Sequence, residues 1–383
     1  MPYGNYTRRY MKKIKINHLD LFSGIGGFHL GFERAGFEIN SYFSEIDKYA
    51  IQVYKDKFKD SNYVGSVTDV RGGDLPDIDL ITFGSPCQDF SLAGKRKGLG
   101  GERSSLIGEA IRLIREKRPR VFVWENVKGT FSSNNRQDFA AILQAFANIG
   151  GYRLEWQLLN TKWFLPQNRE RIYLVGYLGG GSGGQIFPLQ EKDRRINEGK
   201  KQTQNAGCLT AGGNSGGLHS SMTLIRHRVD AQEVEVGDFR YDEGYRVRKD
   251  GDCPTIPARA REDGSGQPIV KVNSATSKGY EVAEEGDSIN YSVPTSKTRR
   301  GRVGKGVAQT LDTACNQAVM ESTNIRRLTP IECERLQGFP DDWTKQGTEG
   351  VISDTQRYKM CGNAVTVDVV AAVAERIKQV VYA

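Results

Sequence analysis

Apolar runs of strand length alternate with segments of helical period along the first half of the chain. The strand-like runs occupy 15–22, 37–43, 77–83, 120–127, 153–160 and 171–178. The helix-like segments occupy 26–36, 47–58, 104–117 and 137–149. Because strands joined through helices are typical of a parallel sheet with helices on its faces, the pattern predicts an α/β fold with a Rossmann-like, mostly parallel sheet.

This pattern ends at a glycine-rich stretch, GGGSGG (179–184). The residues from 185 to 322 are rich in Gly, Ser, Thr and Asn without a helical period, whereas helical patterns return at 329–339 and 364–381. We therefore expect a discontinuous α/β domain interrupted by a smaller, loop-rich mixed or β domain. The expected divisions are an N-terminal extension at 1–10, the first part of the α/β domain at 11–184, the inserted domain at 185–324, and a hinge and C-terminal helix at 325–383.

The composition narrows the class of protein. The chain is 38% hydrophobic and 26% charged, and no apolar run approaches the roughly 18 residues that a membrane-spanning helix needs. The six cysteines and four histidines have neither paired nor zinc-ligand spacing. We therefore expect a cytoplasmic enzyme without a membrane-spanning helix, a structural metal or a disulfide.

The net charge of +8 favours a polyanionic partner. Basic residues cluster at 94–98 and at 296–306, and glycines interrupt the second cluster. Glycines would let such a loop approach a phosphate backbone closely. A solvated basic surface is the plainer explanation of each cluster taken alone.

A glycine-rich turn, DLFSGIGGFHLGF (20–32), joins the first predicted strand to the first helix. Glu45 follows the second strand and Asp69 would follow the third, where acids bind ribose and adenine groups. The glycines do not match GxGxxG, which favours S-adenosylmethionine over a nicotinamide. A plain structural turn with two surface acids is the alternative.

Cys87 lies in the loop GSPCQDFS (84–91), directly after a predicted strand. Open α/β sheets bind their ligands at the carboxyl ends of strands, so a thiol there could act as a nucleophile. The alternative is a buried cysteine acting as a small hydrophobe. The polar, glycine-rich and basic residues that follow Cys87 fit the alternative poorly.

Two further groups flank predicted strands. Glu125 ends a strongly apolar strand in WENV, where a partly desolvated carboxyl could hold or deliver a proton. Gln167, Arg169 and Arg171 alternate, which would point all three side chains to one face of a strand, toward an anion or a carbonyl oxygen. The alternative for Glu125 is a structural acid that caps a helix or is hydrogen-bonded to a polar neighbour at the strand end. The alternative for the arginines is a cross-strand salt bridge.

Taken together and in this order, these blocks resemble the cytosine-5 DNA methyltransferase family of bacterial or phage type. The matching stretches are DLFSGIGGFHLGF, SEID, TDV, GSPCQDFS, ENV, QNRERIYLVG, RRLTPIECERLQGFP and YKMCGNAV. The resemblance covers about 15–178 and 325 to the end, and between them it extends only to the Thr310–Leu311 pair of a target-recognition domain. Position 85 is Ser where many members carry Pro or Phe, a difference that we expect to be neutral.

The resemblance implies a DNA (cytosine-5-)-methyltransferase that flips its target cytosine out of double-stranded DNA. Cys87 would attack C6 of the base, Glu125 would hold the proton at N3, and Arg169 and Arg171 would contact the base carbonyl and a nearby phosphate. S-adenosylmethionine would be the cofactor and S-adenosylhomocysteine its product, with no metal. A cognate restriction endonuclease is a possible functional partner, and we expect a monomer in a bacterial cytoplasm.

The resemblance also assigns binding residues. The implied cofactor residues are Phe22, Gly24, Gly26, Gly27, Glu45, Ile46, Asp69, Val70, Pro86, Asn363 and Ala364. The implied DNA-binding residues are Gln88, Ser91, Lys95, Arg96, Lys97, Arg299, Arg300, Arg302, Lys305 and Thr310.

Two other functions compete with this interpretation. A tRNA cytosine methyltransferase of the same family would share the chemistry, but it usually has a short variable region with a Cys-Phe-Thr signature, which is missing here. A non-catalytic DNA-binding regulator would keep the fold and lose Cys87 or Glu125, and both are present.

Overall fold

The computed structural model describes most of the chain. The described residues are 13–85, 106–132, 137–179, 184–190, 234–240, 244–247, 268–292, 302–321 and 324–382. The predicted extension 1–10 lies outside them, as do most of the residues of the glycine-rich stretch 179–184.

The described residues between 13 and 240 contain nine strands and five α-helices. The strands are β1 Ile14–Leu21, β2 Phe37–Ser44, β3 Asn62–Tyr63, β4 Leu80–Phe83, β5 Val121–Val127, β6 Tyr152–Asn160, β7 Gln167–Asn168, β8 Glu170–Leu178 and β9 Val234–Arg240. The helices are α1 Gly27–Arg34, α2 Lys48–Lys57, α3 Leu106–Lys117, α4 Gly129–Ser132 and α5 Gln137–Ala147.

The elements that follow are mostly short strands and then helices. The strands are β10 Gly244–Val247, β11 Pro268–Asn273, β12 Tyr280–Ala283, β13 Ser288–Asn290, β14 Val303–Gly304, β15 Ala308–Gln309, β16 Gln317–Glu321, β17 Asn324–Arg327, β18 Gln346–Gly347 and β19 Gly350–Val351. The helices are α6 Pro330–Leu336, α7 Asp354–Asn363 and α8 Val367–Val381.

A seven-stranded sheet in the order β3-β2-β1-β4-β5-β8-β6 forms the centre of the fold. The pairs among β1 to β5 are parallel, and β8 runs antiparallel to both of its neighbours, β5 and β6. The predicted α/β fold with a mostly parallel sheet is therefore confirmed. The reversed direction of β8 could not be predicted, because an apolar run has the same periodicity in either direction.

Helices cover both faces of this sheet. On one face, α1 and α8 pack together over β1, with Phe28, Phe32 and Val370 in one buried cluster. On the opposite face, α3 and α5 contribute Ile111 and Phe146 to a second cluster. The C-terminal helix is thus part of the same core as the first helix, and Arg34 of α1 forms an ion pair of 2.7 Å with Asp368 of α8.

Helix α7 was not predicted from the sequence. Its ten residues, DTQRYKMCGN, carry few apolar side chains, so a hydrophobic period was not visible. Its position is fixed by tertiary contacts, including an ion pair of 2.6 Å between Lys359 and Asp47, the residue that caps α2. By contrast, α6 begins with a capping box between Thr329 and Glu332, which the sequence signals clearly.

The described part of the variable segment is a β structure. It contains two four-stranded sheets, β10-β9-β11-β12 and β14-β13-β16-β17, and the described residues between 234 and 327 contain no helix. Strand β15 instead pairs in parallel with β7, beside the central sheet. The predicted boundary between 324 and 325 falls within β17, which pairs with β16. In the described residues no helix is both long and apolar enough to cross a membrane.

Candidate active site

The carboxyl ends of three neighbouring strands meet at one edge of the central sheet. Leu21 of β1 is in register with Phe83 of β4, and Phe83 is in register with Trp124 of β5. The glycine-rich turn, the loop that leads to Cys87 and the acid Glu125 all follow directly from these positions. Open α/β sheets bind their ligands at this edge, so the predicted motifs share one site.

The turn after β1 adopts left-handed backbone conformations. Gly24 has φ 53° and Gly26 has φ 83°, values that residues with a side chain rarely adopt. A Cβ atom on Gly26 would also collide with the Phe58 ring, whereas one on Gly24 would meet no atom within 4 Å. The turn therefore needs glycine at position 26, and it leaves open space beside Gly24.

Glu45 holds this turn to the end of β2. Its carboxylate accepts hydrogen bonds from the N–H groups of Gly24 (2.8 Å), Ile46 (2.7 Å) and Asp47 (2.9 Å). The side chain that was predicted to bind a ribose therefore also has a structural task, because it ties two loops together. Of the remaining predicted cofactor residues here, Ile46 and Asp69 are exposed and Val70 is buried.

The C-terminal motif reaches the same turn. A Cβ atom on Gly27 would lie 2.6 Å from Val365 Cγ2, so the chain after Ala364 packs directly on the start of α1. Asn363 at the end of α7 is exposed, and the Ala364 carbonyl accepts a hydrogen bond of 2.8 Å from Arg169. The structure thus brings together predicted cofactor residues that lie more than 300 positions apart in the sequence.

Glu125 is buried beside this edge, with 8% of its surface exposed. Arg171 Nε lies 3.1 Å from Glu125 Oε1, yet no described hydrogen-bond partner has suitable geometry at that oxygen. A Cβ atom on Gly84 would lie 3.2 Å from Glu125 Oε2. The chain that leads to Cys87 therefore passes directly over the carboxylate.

Arg169 does not share the position of Arg171. Its Nη atoms donate to the carbonyls of Leu311 (3.4 Å), Gly362 (3.3 Å) and Ala364 (2.8 Å), and 3% of its surface is exposed. Burial, followed by the nearby charge of Arg171, lowers the pKa of Arg169 to about 9. Its guanidinium thus has three protein carbonyls as partners, and the expected contact of Arg169 with a base carbonyl or a phosphate stays a prediction.

Ser85 is a site residue that the sequence prediction missed. It is buried, and Trp124 Nε1 donates to its Oγ (3.1 Å) while Asn126 Nδ2 donates to its carbonyl (3.0 Å). Asn126 Oδ1 in turn accepts from Val127 N–H (2.8 Å) and Thr130 Oγ1 (3.0 Å). The only sequence signal was an indole and an amide on either side of Glu125.

A second polar group that the prediction missed lies beneath the glycine-rich turn. Asp20 is completely buried in β1 and accepts hydrogen bonds from Thr82 (2.8 Å) and Tyr54 (3.4 Å). Burial raises the pKa of the Asp20 carboxyl well above its ordinary value, and the two hydrogen bonds offset this only in part. The lone acid within the apolar run 15–22 was the available signal.

Several predicted site residues lie outside the described part of the chain. They are Pro86, Cys87, Gln88, Ser91, Lys95, Arg96, Lys97, Arg299 and Arg300.

The predicted DNA contacts that are described have partners within the protein. Arg302 is buried and donates to the carbonyls of Asn290 and Asn273, both at 2.9 Å. The Lys305 amine lies 2.7 Å from Asp287, and the Thr310 hydroxyl donates to the Asn168 carbonyl (2.8 Å). The buried Arg302 guanidinium thus binds two strand carbonyls, and the expected contact of Arg302 with DNA stays a prediction.

Comparison with known proteins places the chain in a family. The C-5 cytosine-specific DNA methylase family matches residues 16–379. The Type II methyltransferase M1.ScrFI of Lactococcus lactis subsp. cremoris is 32% identical over 375 residues, covering 96% of this chain and 79% of that protein. The Type II methyltransferase M.NlaX of Neisseria lactamica is 32% identical over 362 residues, covering 94% of this chain and 95% of that protein.

A solved structure agrees at the level of the fold. The methyltransferase EhMeth of Entamoeba histolytica superposes with a TM-score of 0.54 at 17% identity, covering 96% of this chain and 99% of that one. With the family match, the two relatives and the site geometry, the conclusion is that this chain belongs to the C-5 cytosine-specific DNA methylases and is a DNA methyltransferase.

Proposed function

We propose that this methyltransferase modifies C5 of a cytosine flipped out of duplex DNA, with Cys87 as the nucleophile. Sγ of the Cys87 thiolate adds to C6 of the ring, Glu125 holds the proton at N3, and Arg171 contacts the base carbonyl oxygen. Addition at C6 makes C5 nucleophilic, which an intact aromatic ring does not allow. After C5 has taken the methyl group, a base from solvent takes the C5 proton, the C–H electron pair restores the C5–C6 double bond, and Sγ leaves C6 as a thiolate.

One relationship carries this proposal: the Cβ position of Gly84 lies 3.2 Å from Glu125 Oε2. Consecutive Cα atoms are about 3.8 Å apart, so the Cα of Cys87 follows within roughly 11 Å of the Gly84 Cα. Arg171 Nε, 3.1 Å from Oε1, gives the same carboxylate a cationic neighbour. A thiol, an acid and an arginine within reach of one ring are what nucleophilic addition to a cytosine needs.

We propose S-adenosylmethionine as the cofactor, which supplies an electrophilic methyl group when it is bound. The residues that would hold it are the glycine-rich turn with Phe22, the exposed Asp69, and Asn363 at the end of α7. The open space beside Gly24 and the close packing of Gly27 on Val365 support this assignment. Glu45 would contribute from the same carboxylate that fixes the turn, because Oε2 accepts only one hydrogen bond among the described residues.

We also propose that residues 185–324 form the target-recognition domain and choose the DNA sequence. The two β sheets of its described part, and the pairing of β15 with β7 at the edge of the central sheet, support this role. The enzyme would act as a cytoplasmic monomer, either with a cognate restriction endonuclease or as an orphan methylase. Exchanging the segment with that of a relative should transfer the methylated sequence, and an unchanged sequence would refute the proposal.

The experiment that tests the reaction is sequencing of DNA from cells that express the chain. Bisulfite or nanopore sequencing should reveal 5-methylcytosine in one short sequence motif. Cys87→Ser should abolish this signal while S-adenosylmethionine binding stays within about twofold of the parent. Methylation at adenine, or a retained signal in Cys87→Ser, would overturn the assignment.

A further inference from the structure

We propose that Ser85 is a positioning residue for the Cys87 nucleophile, an inference that rests on the proposed function. Ser85 lies two residues before Cys87, so the two Cα atoms are no more than about 7.6 Å apart. Its side chain and its carbonyl are both bonded to β5, the strand that carries Glu125. Ser85, from which the chain continues to Cys87, is thereby attached to the strand that carries the acid.

The alternation of side chains along β5 makes this arrangement possible. Successive residues of a strand point to opposite faces, so Trp124 and Asn126 share one face and Glu125 points to the other. Trp124 belongs to the buried cluster under α3 and α5, whereas Tyr173, opposite Glu125 in β8, belongs to the cluster under α1 and α8. Trp124 and Asn126 therefore hold Ser85 from one side of the sheet, and Glu125 between them presents its carboxylate on the other.

Ser85 is held at two atoms by groups that are themselves buried. Trp124 has no exposed surface, and Asn126 has 2% exposed. Asn126 Nδ2 lies 3.0 Å from the Ser85 carbonyl and 3.4 Å from its Oγ, and Trp124 Nε1 lies 3.1 Å from the same Oγ. Hydrogen bonds between buried groups have well-defined geometry, so they restrict the direction in which the chain leaves β4.

This interpretation reverses the expectation that Ser85 is neutral. Proline or phenylalanine at position 85 has no hydroxyl, so the bond from Trp124 Nε1 could not form. Relatives with those residues would have to direct the same loop by other contacts. In this chain the Ser85 hydroxyl provides the acceptor for the indole N–H of Trp124.

The test measures how fast the thiol adds to cytosine. DNA in which 5-fluorocytosine replaces cytosine is mixed with enzyme and S-adenosylmethionine. Because C5 then carries fluorine in place of hydrogen, no C5 proton can leave after methyl transfer, Sγ is not eliminated, and the C6–S adduct persists. Ser85→Ala should form the adduct about tenfold more slowly, and Ser85→Pro more slowly still. Ser85→Thr keeps the hydroxyl and should stay within about threefold of the parent.

The readouts separate positioning from a general loss of structure. Ser41→Ala is a matched control, since Ser41 is also buried on a strand and bonds Tyr54 through its hydroxyl (2.9 Å). In Ser85→Ala the affinity for S-adenosylmethionine and the KM for DNA should match those of Ser41→Ala, and only the adduct rate and kcat should fall. An adduct rate equal to that of Ser41→Ala, or a fall that only parallels lost cofactor affinity, would overturn the proposal.

A separate arm tests the underlying chemistry. The parent must form the adduct, and Cys87→Ser must not. If the parent fails, or if Cys87→Ser still forms the adduct, the proposed function is wrong and the role of Ser85 falls with it. If both behave as expected, the Ser85 variants alone decide the positioning role.

Discussion

The Arg171 guanidinium lies 3.1 Å from the Glu125 carboxylate across the antiparallel pair of β5 and β8, with both side chains largely buried. An ion pair with so little solvent contact is screened weakly, so removing one partner leaves the charge of the other buried without compensation. The pair also lies where Gly84 brings the chain toward Cys87.

Replacing Glu125 should therefore lower kcat more than it lowers the affinity for the cofactor. We expect Glu125→Gln to lower kcat about 10²- to 10⁴-fold, because an amide cannot hold the ring proton, while cofactor affinity changes little. Arg171→Lys should retain more activity than Arg171→Ala, since it keeps the charge and loses the planar fork. Steady-state methyl transfer with labelled cofactor measures both effects.

Lys128 and Glu170 provide the matched control for this pair. They join the ends of the same two strands with an ion pair of 2.7 Å, but their side chains are 56% and 38% exposed. Exposed ion pairs contribute about 0–1 kcal/mol, so Lys128→Ala should change kcat by about twofold at most. A similar loss of activity in Lys128→Ala and Arg171→Ala would contradict a specific role for Arg171.

Arg169 should behave as a structural residue. Arg169→Met removes the hydrogen bonds to the carbonyls of Leu311, Gly362 and Ala364, and we expect the free energy of unfolding to fall by about 2–4 kcal/mol. Urea denaturation measures this change. Arg153→Met, at a side chain that is 40% exposed, should lower the free energy of unfolding by less than about 1 kcal/mol. Equal losses in the two variants would refute the structural role.

The Arg326–Glu332 pair predicts a dependence of stability on pH. Both guanidinium Nη atoms lie 2.9 Å from carboxylate oxygens of Glu332. Burial raises the pKa of Glu332, but the bonds from Arg326 and Thr329 outweigh burial and lower it below its ordinary value. The folded carboxylate therefore binds its proton more weakly than the unfolded one, so this stabilisation is complete above the ordinary pKa and is lost as the pH falls through the lowered one.

We expect Glu332→Gln to lower the free energy of unfolding by about 1–2 kcal/mol at pH 7 and by much less at pH 3. Denaturation of the parent and the variant at both pH values tests this, because the other carboxylates titrate alike in the two proteins. Glu285→Gln, at an exposed position, is the control and should match the parent throughout. A difference that stays constant from pH 7 to pH 3 would count against the ion pair.

DNA binding should depend on the basic residues that the resemblance assigns to phosphate contacts, Lys95, Arg96 and Lys97. Each lost phosphate contact lowers the slope of log affinity against log salt by about 0.9, so replacing Lys95, Arg96 and Lys97 by Ala should lower it by about 2.7. Lys305→Ala should leave the slope unchanged, because Lys305 pairs with Asp287 and Glu284. Filter binding over a range of salt concentrations measures both slopes, and equal slopes for parent and triple variant would contradict the prediction.

Six of the seven strands of the central sheet were predictable, because the period and length of their apolar runs follow from burial on a sheet, whereas the two-residue strand β3 was not predicted. The roles of the arginines were not predictable from the sequence. Arg169, Arg171 and Arg302 look alike in sequence, yet one binds three backbone carbonyls, one pairs with an acid, and one holds two strands of the variable segment. These partners lie far away in the sequence, so only the folded chain reveals them.

The same reason explains the residues around Cys87. The motif predicted a thiol and an acid from their types, which chemistry alone suggests. The contacts of Ser85 with Trp124 and Asn126 join positions about 40 apart, and they depend on which face of β5 each side chain takes. Neither the register of β4 on β5 nor the face that each side chain of β5 takes can be predicted from the local sequence.

The packing of α1 against α8 has a consequence for synthesis on the ribosome. The apolar surface of α1 that includes Phe28 and Phe32 is covered when Val370 and its neighbours arrive, after the entire segment between β8 and α6 has been translated. At roughly 5–20 residues per second, that surface stays open for about ten seconds or longer. During this interval the nascent chain exposes an apolar surface, and we expect it to depend on chaperones more than a protein whose sheet is completed in one continuous stretch.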